Sequence, residues 1–120
     1  MAVLAATLPG MPLVYSGQEA GLDHRLAFFD KDRIDWTALP REKFYADLLR
    51  LKHRHPALAS GMEPGNLVLI ETGDPKVFAF RRVKGRDRVR VVVNLSAAPV
   101  AVTLPGARPL KLAGWGWKID

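Results

Sequence analysis

From Asn66 to the end of the chain, apolar residues alternate with polar or charged ones, and turn residues interrupt the alternation every few positions. Val89, Val91, Val93 and Leu95 form one period-two stripe, and Phe78 and Phe80 form another. Residues two apart on a strand share a face, so these stripes predict a buried side. The expected strands are Leu67 to Thr72, Val77 to Val83, Val89 to Leu95, Val100 to Leu104, Pro109 to Leu112 and Gly116 to Ile119. Gly73-Asp74-Pro75, Lys84-Gly85-Arg86-Asp87, Ser96 to Pro99 and Pro105-Gly106 are the turns between them. Short strands with tight turns predict an antiparallel sandwich or barrel.

Before residue 60 the period changes. Phe44, Leu48, Leu51 and His55 recur at helical spacing, with Tyr45 and Leu49 beside them, and predict a helix from about Pro40 to His55. Pro40 suits a first turn and Glu42 complements the positive end of the helix dipole. Arg50, Lys52, His53 and Arg54 complement its negative end, and Pro56 stops it. Ala2 to Leu8 reads as helical and is broken by Pro9-Gly10. Met11 to Tyr15 reads as a short apolar strand opening onto Ser16-Gly17-Gln18-Glu19. Residues 16 to 39 have no steady period and mix charges with Phe28, Phe29 and Trp36, which predicts a long loop. The expected fold class is mainly β: a small antiparallel β-sandwich preceded by a strand, a long loop and one helix. The composition shift after Ser60-Gly61 divides 1–60 from 61–120.

Charge and composition narrow the choices. The net charge is +6, and Arg81, Arg82, Lys84, Arg86, Arg88 and Arg90 crowd one hairpin. A nucleic-acid surface would interleave aromatics on the same face. Here the aromatics and valines form separate stripes, so a solvated hairpin face is expected and no nucleic-acid partner. The chain has no cysteine, which excludes disulfides and thiolate metal sites. Met1-Ala-Val-Leu-Ala-Ala lacks the basic start of a signal peptide. No apolar run reaches the roughly 20 residues of a membrane span, so no membrane partner is expected. His53 and His55 are two apart on a helix and face different ways, so no metal set with His24 is expected.

Residues 10 to 36, GMPLVYSGQEAGLDHRLAFFDKDRIDW, resemble the last barrel strand and following loop of α-amylase-type enzymes, glycoside hydrolase family 13. Residues 44 to 58, FYADLLRLKHRHPAL, are similar to that family's final barrel helix. VRVVVNLSAAPVAVTLPG resembles its C-terminal β-domain, and AGWGWKID the closing strand of that domain. The most specific part is Gly-x-Pro-Leu-x-Tyr-x-Gly-Gln-Glu, from Gly10 to Glu19. The resemblance implies that 1–60 is the remnant of a (β/α)₈ barrel, with its last strand, loop and helix, and that 61–120 is the C-terminal sandwich. It implies the tail of a longer enzyme, since such barrels take around 200 residues or more.

The implied parent acts on α-glucosidic bonds by the retaining mechanism, which needs two carboxyl groups about 5 Å apart. In the family these, with a third aspartate, sit on earlier barrel strands. No position here matches their motifs, so no catalytic residue is assigned and the chain alone is expected to be inactive. Gln18 and Glu19 lie past the strand end, where barrel active sites form. They support the substrate cleft, or Glu19 pairs with a barrel arginine and holds the loop. Trp115 and Trp117 form a sugar-stacking surface or pack on the sandwich or the barrel helix. Phe28, Phe29 and Trp36 are expected to anchor the long loop. The resemblance allows calcium in the parent enzyme, usually through residues earlier in the barrel, and no cofactor and no ligand set are expected in this chain. The implied partners are an α-glucan substrate, the barrel portion and a second copy of the chain paired through the N-terminal segment. A free-standing carbohydrate-binding or interaction module is the alternative.

Overall fold

The computed structural model describes residues 1–120. Its elements are α1 (Ala2–Thr7), α2 (Glu42–Arg54), a 3₁₀ turn (Pro56–Leu58), β1 (Asn66–Ile70), β2 (Val77–Lys84), β3 (Asp87–Asn94), β4 (Val100–Val102), β5 (Leu110–Leu112) and β6 (Trp117–Ile119). All strand pairs are antiparallel. One sheet has the order β1-β2-β3-β6, and β4 and β5 form a second. The fold is mainly β, as the alternation predicted. Six predicted strands, the Pro40–His55 helix and the stop at Pro56 are all present within a few residues.

The larger sheet is covered on both faces. Register places Phe80 opposite Val91 and Phe78 opposite Val93 on one face, with Ala79 opposite Val92 on the other. The first face meets α1, α2 and the 3₁₀ turn in a core of Val3, Leu4, Leu48, Leu58, Phe80 and Val91. Its members come from both sides of residue 60. The second face meets β4–β5 in a smaller core with Val77, Val92, Val102 and Leu112. A strand covered on both sides needs apolar residues at successive positions, and the run Val91-Val92-Val93 supplies them. Phe80, Val91 and Val93 are buried as expected. Phe78 is only half-buried and Leu95 is 41% exposed, because β3 ends at Asn94 and the chain turns away.

Two sequence expectations are corrected. Met11 to Tyr15 is not a strand: no second strand lies beside it, and Leu13 is 76% exposed. The helical reading of the 2–8 segment holds, and it folds as α1 onto the core, so two α-helices precede the sheets. The arginine-rich hairpin is not wholly solvated. Arg82 lies opposite Val89 on the core face and is 0% exposed. Its Nη1 donates to Thr7 O at 2.7 Å, and its Nε and Nη2 donate to Gly65 O at 3.3 and 3.1 Å.

The β2–β3 hairpin is tied to the end of α2 through Asp87. Its Oδ2 accepts from the Ala57 N–H at 2.7 Å, and its Oδ1 lies 2.9 Å from His55 Nδ1. The Ala57 N–H first, and His55 second, hold the Asp87 carboxyl below its ordinary value of 3.8. A depressed folded-state pKa contributes stability above the unfolded value, which is lost as pH falls through the folded one. Asp87→Ala is therefore expected to cost about 1–2 kcal/mol near neutral pH, the usual range for losing a cap-like acceptor. The gap between wild type and variant should narrow below pH 3.8. Urea melts at several pH values check this, and a gap that stays constant to low pH would contradict it.

Candidate functional site

The largest concavity is an open groove of about 970 Å³, with apolar walls. One wall is α1, and the floor includes Leu48 of α2 and Val93 of β3. Pro12, Leu13 and Val14 cross one side, while Phe44, Tyr45 and Leu49 rise from α2. Trp115 and Trp117 close the far side, and Gln18 and Arg41 are the polar members. The sequence predicts the helical part of this lining, because Phe44 and Leu48 are four apart and share a helix face.

The tryptophans are set by a buried polar hub. Asn94 is fully buried at the end of β3. Its Nδ2 donates to Ala98 O and Ala113 O at 2.8 Å each, and its Oδ1 accepts from the backbone and hydroxyl of Ser96. The hub joins the Ser96–Pro99 loop to the turn before β6. Trp115 N–H then donates to Ser96 O at 2.8 Å. Gly114 backs onto the Ala97 carbonyl so closely that a Cβ would collide with it. This packing holds Trp115 at φ 58°, a left-handed conformation that strains a bulky residue. The result is an indole 65% exposed at the groove edge. Trp117, on β6, lies with its ring centroid 6.1 Å from that of Phe44.

The structure thus brings Gln18, Trp115 and Trp117 to one groove and leaves Glu19 behind it. Gln18 turns back on the chain, its Oε1 accepting from Tyr15 N–H at 3.1 Å. Glu19 accepts from Arg41 N–H through its backbone oxygen at 3.0 Å. Its carboxylate Oε2 is buried and has no hydrogen-bond partner. Trp115 sits in a turn and Trp117 in a strand. Phe28 and Phe29 pack edge-to-face on each other at 4.8 Å and both stand exposed. Sequence reasoning missed Asn94 and Gly114; a buried-looking Asn at a strand end, followed by Ser and small residues, is the signal that marks the hub.

Chemically the groove offers stacking and apolar contact. No carboxylate lines it. No three His, Asp or Glu side chains gather as metal ligands. No helix is long and apolar enough to cross a membrane.

Residues 67–118 match the family model of the maltogenic amylase C-terminal domain. Alpha-amylase MalA of Haloarcula japonica is 34% identical over 101 residues, 82% of this chain and 15% of that protein. An acarbose-soaked debranching enzyme of Nostoc punctiforme superposes with a TM-score of 0.70 at 19% identity, covering 98% of this chain and 27% of that one. The cyclic α-maltosyl-(1→6)-maltose hydrolase of Arthrobacter globiformis gives 0.64 at 23%, covering 99% and 28%. At these identities the solved structures speak to the fold. The chain spans less than a third of the length of each protein named.

Proposed function

We propose, on the premise that this chain belongs to the α-amylase-type glycoside hydrolases as a C-terminal portion of one, that it is the non-catalytic support of a barrel acting on α-glucosidic bonds. The apolar groove carries the reading. Leu13, Leu49, Trp115 and Trp117 are exposed around it, and a contiguous patch of this kind marks a contact surface. Each Å² of apolar surface covered there is worth roughly 25 cal/mol.

The segments that line the groove also name its occupant. Residues 10 to 15 and 44 to 49 are those that resemble the last barrel strand and helix, so the rest of a barrel is what fits against them. The unpartnered oxygen of Glu19 supports the same reading. A buried carboxylate oxygen needs a cation or N–H donor, and a barrel arginine meets that need. Glu19 then holds the loop. Retaining hydrolysis needs two facing carboxyl groups, and the groove has none, so the reacting sugar meets other parts of the enzyme. MalA is an α-amylase and the Arthrobacter enzyme hydrolyses a cyclic maltosyl-maltose; an α-glucan is accordingly the substrate class.

The chain alone is expected to release no reducing ends from maltooligosaccharides, starch or pullulan above buffer, and not to be retained on insoluble starch. Turnover that survives repurification and falls in Glu19→Gln would overturn the support reading. Retention on starch that is lost in Trp115→Ala and Trp117→Ala would instead make the groove a carbohydrate-binding surface.

A further inference from the structure

On the sheet face turned away from the helices, Arg81 of β2 stands directly opposite Arg90 of β3. Arg88 lies two residues along β3 and so shares that face. Like charges placed opposite each other destabilise a strand pair. The fold neutralises only one member. Arg90 Nε and Nη2 donate to the two carboxylate oxygens of Asp120 at 2.8 and 2.7 Å, a bidentate pair. Arg81 and Arg88 have no carboxylate partner among the ion pairs of the chain.

These guanidinium groups border a cavity of about 550 Å³ between the sheet edge and the loop after β4. Ile70, Leu104 and Pro105 give it apolar walls, and Glu71 and Asp120 are its acidic members. Glu71 makes no ion pair with any of the three arginines. We propose that Arg81 and Arg88, beside the Arg90–Asp120 pair, form a binding site for a phosphate dianion, either free or as the monoester of a small sugar. With Arg90 paired to Asp120, Arg81 and Arg88 outweigh the single charge of Glu71 and leave the cavity net positive, and their planar forks match the oxygens of a dianion in geometry. The apolar walls lower the local dielectric and strengthen the attraction. Bound phosphate removes the repulsion across the Arg81–Arg90 pair. No aromatic side chain lines the cavity, so it lacks the stacking platform that a nucleic-acid strand uses. The site lies across the sheet from the apolar groove and does not depend on the function proposed for that groove.

Calorimetric titration of the full chain with inorganic phosphate, glucose 6-phosphate, glucose and sodium chloride at matched ionic strength tests the proposal. Saturable binding is expected for one or both phosphates and for neither glucose nor chloride. Tighter inorganic phosphate identifies the free ion as ligand, and tighter sugar phosphate identifies the ester. Arg81→Gln and Arg88→Gln are each expected to weaken binding at least tenfold, while Lys111→Gln, exposed on β5, leaves it unchanged. Arg88 is exposed, so its variant tests the site even where Arg81→Gln perturbs the strand. Equal responses to phosphate and chloride would overturn the site, as would an affinity that neither arginine variant moves. Binding of an oligonucleotide but of neither phosphate would make the face a polyanion surface and overturn it as well.

Discussion

Arg82→Met is expected to lower the unfolding free energy by about 2–4 kcal/mol, a large part of the 5–15 kcal/mol typical of a folded domain. The sign follows from weighing what the guanidinium costs against what it satisfies. Arg82 is completely buried, and burial pushes its pKa down, which is the signature of lost hydration. That loss is worth several kcal/mol for an ion. Its hydrogen bonds to Thr7 O and Gly65 O are charge-assisted and worth roughly 1.5–3 kcal/mol each, so they offset the loss. The wild-type residue is therefore close to balance.

Removing it is not. Methionine fills most of the volume but leaves two buried carbonyls without a donor, at roughly 1–3 kcal/mol each. Thr7 O lies in the last turn of α1, whose carbonyls have no partner within the helix. Gly65 packs against the Ala57 carbonyl too closely for any Cβ, so it has little freedom to find another donor. Lys52 cannot substitute. Its ammonium already donates to Leu58 O at 2.7 Å, and burial, then Arg82, lower its pKa. Arg82→Lys, which keeps the charge with a less extended set of donors, should fall between wild type and Met. Urea midpoints at unchanged slope measure the effect. A Met variant within about 0.5 kcal/mol of wild type would mean that Arg82 does not tie α1 to the sheet.

Arg82 also shows where sequence stops being informative. Period-two alternation, Pro56 and the Gly85 turn marked the strands, the helix stop and the hairpin, because each acts locally. The same alternation placed Arg82 in register with Phe78 and Phe80, yet in a run of six basic residues it reads as surface. Only the nearby carbonyls of Thr7 and Gly65, 75 and 17 residues away, make burial affordable. Met11 to Tyr15 has the composition of a buried strand, but composition does not supply a neighbour to pair with. Of the candidate site, Trp115, Trp117 and Gln18 were legible as residues. Their convergence on one groove was not, because it rests on Asn94 and on the left-handed turn at Trp115, both of which require the chain to be folded first.

Phe80→Ala is expected to cost about 3–5 kcal/mol, the usual range for deleting a buried aromatic ring. At roughly 2.1 cal/mol/K per residue for the unfolding entropy, this corresponds to a fall of about 12–20 °C in Tm. Phe80 is 0% exposed and sits where every element of the first core meets. Val91 is opposite it on β3, and Phe78 lies beside it with ring centroids 5.4 Å apart. Leu4, Leu48 and Leu58 pack in the same cluster from α1, α2 and the 3₁₀ turn. These helices come from residues before 60, so the cavity opens between the helix layer and the sheet. Leu48 is also a floor residue of the groove, and loosening it should enlarge the groove's binding of an apolar dye. Leu95→Ala is the control: it ends the facing valine stripe, but is 41% exposed, and is expected to cost under about 1 kcal/mol. Thermal melts with dye binding read both effects. Equal losses in the two variants would show that the stripes, not the layer between helices and sheet, are what holds the fold, and a Phe80→Ala melt unchanged from wild type would remove Phe80 from the core.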